Sequence, residues 1–291
     1  DLFPINHYAL LRYPNISANE RSMPILSSRG CAYRCNFCYR MIEGIRLRSP
    51  QNIIQEMKLL KDEYNITYFA FQDELTMVSP KRMKDLCQAI IDADLNIKWS
   101  CNGRLNIATP EVLQMMKKAN CVFINYGIES VDDRCLELMN KKLTVDQITK
   151  GIENTLAVGI SPGFNIIWGN IGEDEKILQK GVDFLLKYDD HSQMRTIRPV
   201  TPYPGSDLYY IAIEKGLLKD VEDFYENKHL NSDLLAVNFT NLTDEEFHRH
   251  LYEANYTLLE NYFKHLKERM VDTMKKLYFE QDASFRGYRQ T

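Results

Sequence analysis

The sequence predicts an α/β fold: a partial (βα)6, TIM-like barrel over residues 21–216, followed by a mostly helical C-terminal extension over 217–291. Two patterns predict it. Three helix starts share one signature, a hydroxyl residue followed by proline, at Ser49-Pro50, Ser79-Pro80 and Thr109-Pro110, each 30 residues after the last. Short β-type runs alternate with these helices, and six strand starts near residues 25, 66, 96, 121, 162 and 193 give a mean spacing of roughly 34 residues, the size of a βαβ unit.

Each element has a local cause. A Ser or Thr at the N-cap satisfies an orphan backbone donor, and proline fits the next position because its missing N–H is not needed there. Apolar stripes at helical spacing follow each start: Ile53, Met57, Leu60 and Tyr64; then Met83, Leu86, Cys87 and Ile90; then Val112, Leu113 and Met116. Between them, the runs Pro24–Ser27, Ile66–Phe71, Ile97–Cys101 and Cys121–Tyr126 read as strands. Thr144 and Gln147 form a capping box for a helix ending near Gly159. Phe164–Trp168 reads as a fifth strand, 174–187 as a helix and Met194–Val200 as a sixth strand. Strict alternation implies a parallel sheet with right-handed crossovers, and six units fall short of the eight that close a barrel.

After about residue 206 the alternation stops. A second capping box, Thr243 with Glu246, opens a long Tyr/Leu-rich helix to about Phe279, part of an extension expected to cover the barrel mouth. Residues 1–20, with Pro4 and Pro14 and little periodicity, read as an extended lead-in.

Composition bounds the function classes. The chain has 291 residues, 44% hydrophobic and 26% charged, with a formal net charge of −4. That is a globular composition without the basic footprint of nucleic-acid binding. No run approaches the roughly 18 apolar residues of a membrane span, and the start lacks a secretory signal, so a cytoplasmic location is expected. The seven cysteines are an odd number without framework spacing, which points to a reducing compartment where clustered thiols serve as ligands or catalysts.

The strongest chemical signal is Cys31-Ala32-Tyr33-Arg34-Cys35-Asn36-Phe37-Cys38, a C-x3-C-x2-C loop directly after the first predicted strand. A parallel barrel presents its active-site loops at that end. A closed zinc site and an electron-transfer cluster both want four ligands, and no fourth Cys or His lies nearby. Three thiolates on an iron–sulfur cluster leave one iron open to a small molecule. A non-catalytic zinc or iron–sulfur binding protein, its site completed from afar, is the competing reading.

This loop, with an aromatic residue before its last cysteine, resembles the radical S-adenosylmethionine (SAM) superfamily, and the resemblance covers roughly residues 1–216. It implies a 4Fe–4S cluster on Cys31, Cys35 and Cys38, SAM chelated at the open iron, and reductive cleavage of SAM to start radical chemistry on a small-molecule or peptide substrate. It also implies a reductant such as flavodoxin or ferredoxin. Gln72-Asp73-Glu74 stands where the family holds the SAM amino group; Arg104 resembles the arginine on the SAM carboxylate. Gly127-Ile128-Glu129-Ser130 matches a pattern whose Glu129 and Ser130 contact SAM. Gly169-Asn170-Ile171-Gly172-Glu173 resembles the turn near the adenine, which implicates Gly169 and Asn170.

Pro202-Tyr203-Pro204-Gly205-Ser206 and the opening Asp1-Leu2-Phe3-Pro4 resemble the branch that often carries an N-terminal cobalamin-binding domain. Such a domain is missing from this chain, so a cobalamin-dependent methyltransferase core is the alternative expectation within the family. Cys101, Cys121 and Cys135 are further candidates, as hydrogen-atom donors. Arg195 and Arg198 are candidates for lining a substrate pocket.

Overall fold

The computed structural model describes Ile5 and residues 20–282. Its elements run β1 (Ser22–Ile25), β2 (Ser28–Gly30), β3 (Ile45–Leu47), α1 (Pro50–Tyr64), β4 (Tyr68–Phe71), α2 (Pro80–Ala93), β5 (Lys98–Gly103), α3 (Pro110–Lys118) and β6 (Cys121–Glu129). They continue with α4 (Asp133–Leu138), α5 (Val145–Ala157), β7 (Ser161–Trp168), α6 (Glu175–Tyr188), β8 (Arg198–Pro199), α7 (Asp207–Glu214), the single turn α8 (Val221–Asp223) and α9 (Asp244–Tyr278).

Six strands form one parallel sheet in the order β1-β4-β5-β6-β7-β8, the simple succession of a half-barrel. The three Ser/Thr-Pro starts are N-caps in fact: Ser49 accepts from the Asn52 N–H, Ser79 from Arg82 and Thr109 from Val112. Both capping boxes, at Thr144 and Thr243, are closed reciprocally.

Strand alternation separates two faces. On β6, Ile124, Tyr126 and Ile128 join the core shared with the helices, while Asn125 and Gly127 stay partly open on the lumen side. On β4, Phe69 and Phe71 join the same core, and Phe71 meets Trp99 of β5 edge-on at 5.5 Å between ring centroids.

The sixth strand is far shorter than the predicted Met194–Val200. Two competing partners take its backbone and side chains. Arg195 is drawn to Asp190 and Asp189, at 2.7 and 3.1 Å. The side-chain amide of Asn255, on α9, pairs with both backbone groups of Ile197: Oδ1 accepts from its N–H at 2.8 Å and Nδ2 donates to its carbonyl at 3.0 Å. An edge strand normally presents such groups to any passing strand, and α9 covers them instead.

The long helix therefore runs along α6 and the β8 edge. Its first turn reaches the end of β7, where Phe247 stacks on Trp168 at 4.2 Å. Gly169 permits this approach: its φ is +94°, and a Cβ there would lie 2.5 Å from the Phe247 ring. Asn255→Ala would leave two part-buried backbone groups unpaired. We expect a loss of about 1–3 kcal/mol, read as a lower denaturant midpoint with unchanged slope. Among the described residues no helix is long and apolar enough to cross a membrane.

Candidate active site

A two-stranded antiparallel hairpin, β2 with β3, interrupts the first βα unit, and the cysteine loop is its tip, residues 31–44. Strands of three residues carry no readable period, which is why the sequence does not announce them. Gly30 closes the base: its φ is +83°, and any Cβ would strike the Gly44 carbonyl oxygen.

The loop is held from three sides through Asn36. Its N–H donates to the Met139 carbonyl at 2.9 Å, and its carbonyl accepts from the Leu208 N–H at 2.7 Å. Its side-chain amide meets that of Asn170, whose Nδ2 donates to Asn36 Oδ1 at 3.1 Å. Asn140 adds a bond from Nδ2 to the Arg34 carbonyl at 2.6 Å. The segments after β6, β7 and β8 thus converge on a loop that follows β1, as a curled sheet allows.

Cys31, Cys35 and Cys38 line one cavity of about 300 Å³ together with Glu74, Arg104 and Glu129. Cys35 is buried and Cys38 exposed. A hydrogen bond from the Cys38 thiol pulls the pKa of Cys35 down; burial opposes it, and the cations Lys141 and Arg104 reinforce it. The same bond pushes Cys38 up. Among the described residues no three Cys, His, Asp or Glu side chains converge as one metal ion would need. Three thiols lining one cavity are a donor set that fits three irons of a cluster.

Gln72, Asp73 and Glu74 diverge. Glu74 lines the cavity and is exposed to it. Gln72 lines a different groove outside β1. Asp73 is buried and its carboxylate is taken: it accepts from the Ser27 N–H at 2.6 Å, from the Ser28 N–H at 2.9 Å and from the Ser27 hydroxyl. It clamps the turn that leads into the cysteine hairpin.

Arg104 is buried and stacks over the Tyr33 ring at 3.5 Å. Its Nη2 donates to the carbonyls of Lys141 and Lys142, while its Nε has no hydrogen-bond partner. The guanidinium lines the cavity and brings a positive charge to its wall. Glu129 sits at a bulge between β6 and β7 with φ at +68° and pairs with Lys141 Nζ at 2.8 Å. Gly127 leaves room for that pair, since a Cβ there would overlap the Glu129 carboxylate and lie 2.9 Å from Lys141 Nζ.

Lys141 is a site residue the sequence reading missed. Within Asn140-Lys141-Lys142 it looks like one more solvated charge, yet it is buried, with its ammonium 5.8 Å from the Phe37 ring. Also missed is a row of amides across the lumen. Asn165 Nδ2 donates to Asn125 at 2.9 Å, Asn125 Nδ2 to Asn102 at 3.1 Å, and Asn102 Nδ2 to the Asp73 carbonyl at 2.7 Å. Each Asn lies at a lumen-side position of its strand, a polar interruption in an apolar run that could have flagged it. Gly163 makes space: a Cβ there would sit 2.6 Å from Asn125 Oδ1.

Ser130, Gly169 and Asn170 stand behind the cavity wall, gathered on Glu173. That carboxylate accepts from the Gly169 and Asn170 N–H groups at 2.9 and 3.0 Å and from the Ser130 hydroxyl at 2.9 Å. Burial pushes its pKa up to about 7, against the lowering effect of these bonds. Since the native state binds this proton more tightly than the unfolded chain, stability falls as pH rises from the ordinary carboxylate range to about 7. The shift corresponds to something on the order of 3 kcal/mol. Glu173→Gln, which can keep all three contacts, should remove that pH dependence; Glu173→Ala, which strands three donors, should cost about 2–5 kcal/mol. Melts of each variant against the parent at pH 5.5 and pH 8 check both.

Cys101 and Cys121 lie in the core between sheet and helices, and Cys135 contacts the Gly172 carbonyl at 3.8 Å. Arg195 and Arg198 line a second cavity that shares Asn125 and Asn165 with the first.

A parallel half-barrel with three cysteines on the loop behind its first strand defines a class of cluster-dependent enzymes. The chain belongs to the radical SAM superfamily, whose model matches residues 25–185. It is 31% identical to an uncharacterized methyltransferase of Pyrococcus horikoshii over 75% of this chain and 48% of that protein. It is 25% identical to the anaerobic magnesium-protoporphyrin IX monomethyl ester cyclase of Rubrivivax gelatinosus, over 73% of this chain and 39% of that one. Among solved structures, the radical SAM methyltransferase TsrM of Kitasatospora setae, with cobalamin and a 4Fe–4S cluster bound, superposes with a TM-score of 0.68 at 16% identity, covering 82% of this chain and 51% of that one. The chain spans about half the length of the first of these relatives.

Proposed function

We propose that this chain is the catalytic core of an enzyme that reductively cleaves SAM at a 4Fe–4S cluster and starts radical chemistry on a small-molecule or peptide substrate. The observation that carries it is the meeting of Cys31, Cys35, Cys38, Arg104 and Glu129 around one cavity. When bound, the cluster and SAM supply the electron transfer and the 5′-deoxyadenosyl radical; the protein supplies orientation and exclusion of water.

Cys31, Cys35 and Cys38 would hold three irons of the cluster, and the cations of Lys141 and Arg104 favour the thiolate form of Cys35. Arg104, whose guanidinium lines the cavity, would take the SAM carboxylate. Glu74, exposed on the cavity wall, would accept from the SAM ammonium, and Glu129, also on the lining, would contact its ribose or carboxylate. Asp73 acts one step back, by fixing the turn into the hairpin. Ser130, Gly169 and Asn170 act through Glu173 and Asn36 to brace the loop. The electron comes from a carrier such as flavodoxin or ferredoxin, and the cytoplasm is where such carriers and free thiols coexist.

Anaerobic loading with iron and sulfide, then assay for 5′-deoxyadenosine from SAM and a chemical reductant, tests this. Iron bound at the three thiols and nucleoside formed are expected; zinc retained and no nucleoside would overturn the reading.

A second reading is favoured by the methyltransferases among the relatives: the core of a cobalamin-dependent methyltransferase, with cobalamin held by a domain outside this chain. Joined to such a domain and loaded with cobalamin, the chain should then divert SAM toward S-adenosylhomocysteine. Parental substrate turnover by the chain alone, with 5′-deoxyadenosine as the sole SAM product, speaks for the cobalamin-free enzyme.

A further inference from the structure

The hairpin that carries the cysteines is the most basic segment of an acidic chain. Residues 29–48 hold Arg29, Arg34, Arg40, Arg46 and Arg48 against one acid, Glu43, a local charge of +4 in a chain whose net charge is −4. Arg29 and Arg46 are direct cross-strand partners. Like charges placed opposite each other weaken a hairpin. Both side chains are exposed, and among the described residues neither makes an ion pair or hydrogen bond. Arg48 differs: it is paired with Glu56 at 2.5 Å and bonded to Asn52 at 2.8 Å.

The two free arginines line a groove of about 730 Å³ beside β1, whose lining also includes the exposed Leu26 and Leu47. Unpaired positive charge mixed with apolar surface is the make-up of a small, transient, electrostatically steered interface. Its position gives it a use. Arg29 is separated from the first iron ligand, Cys31, by Gly30 alone, so a partner docked here sits at the stem of the loop that holds the cluster.

We propose that the Arg29–Arg46 face of the β2–β3 hairpin is the docking surface for an acidic one-electron carrier protein. This rests on the cluster reading above. In the step it serves, the reduced carrier loses one electron and the cluster gains it; no atom or proton is transferred. Glu43, on the loop itself, is the only opposing charge on the segment.

The test is a binding titration with oxidised flavodoxin, which needs no cluster turnover, on the full chain at low and moderate salt. Binding should weaken with salt, and Arg29→Glu/Arg46→Glu should weaken it at least about tenfold at low salt. The milder Arg29→Gln/Arg46→Gln guards against a folding defect and should lie between. Lys275→Glu/Lys276→Glu, the same charge change at the far end of α9, should leave affinity within about twofold. Equal affinity in the hairpin variants, or an equal loss in the α9 variant, overturns the docking surface. In parallel, a small-molecule reductant should drive 5′-deoxyadenosine formation equally in all variants, while flavodoxin-driven formation should fall only in the hairpin variants. No nucleoside with the chemical reductant even in the parent would sink the cluster reading, leaving the binding result to be judged by itself.

Discussion

Cys35→Ala is expected to abolish 5′-deoxyadenosine formation and to leave the protein unable to retain a 4Fe–4S cluster after anaerobic loading. Cys35 is the buried member of the three thiols, and its pKa is drawn down by Cys38, Lys141 and Arg104. Removing it takes away a ligand and exposes a second iron, so the loss should exceed the 10–100-fold typical of changes to residues behind a metal's ligands. Cys31→Ala and Cys38→Ala should behave alike. Cys101→Ala is the control: that thiol lies in the core, and its loss should lower stability slightly while iron content stays at the parental level. Iron and sulfide analysis with product chromatography decides it; a Cys35→Ala protein with a full cluster would refute the ligand assignment.

Lys141→Met should be the most damaging change outside the cysteines. It leaves the Glu129 carboxylate buried without its partner. Breaking one side of a buried pair costs about 3–5 kcal/mol, chiefly because the remaining charge is stranded. The double variant Glu129→Gln/Lys141→Met should therefore recover part of the lost stability, although not the SAM-cleaving activity. Denaturant midpoints of the two single variants and the double one measure the coupling. Additive losses would mean that Glu129 and Lys141 do not act as a pair.

The contrast between these two predictions traces what could be read in advance. Cys35 was legible because spacing within eight residues is itself the chemistry. Lys141 was not, because its importance comes from meeting Glu129, a strand end twelve positions earlier. The same division runs through the acidic candidates. Gln72, Asp73 and Glu74 are consecutive in sequence, yet the turn after β4 sends Glu74 to the cavity, Asp73 back to Ser27 and Ser28, and Gln72 to an outer groove. The three residues lie just past the end of β4, where the chain turns and strand alternation no longer sets side-chain direction, so a motif of three supplies one cavity residue.

Local causes were sufficient for the architecture. A hydroxyl residue and proline start α1, α2 and α3, capping boxes start α5 and α9, and apolar periods separate helix from strand; all act within a few residues and are written in the chain. The three-residue strands of the hairpin, the shortening of β8 by Asn255 and Arg195, and the amide row across the lumen depend on residues far apart in sequence. Such contacts have no period and no local energy to betray them. The amino-acid order thus determined the half-barrel and its iron–sulfur loop, whereas the assembled sheet decided which polar groups face the cavity, because only closure of the strands brings Glu74, Arg104, Glu129 and Lys141 to one place.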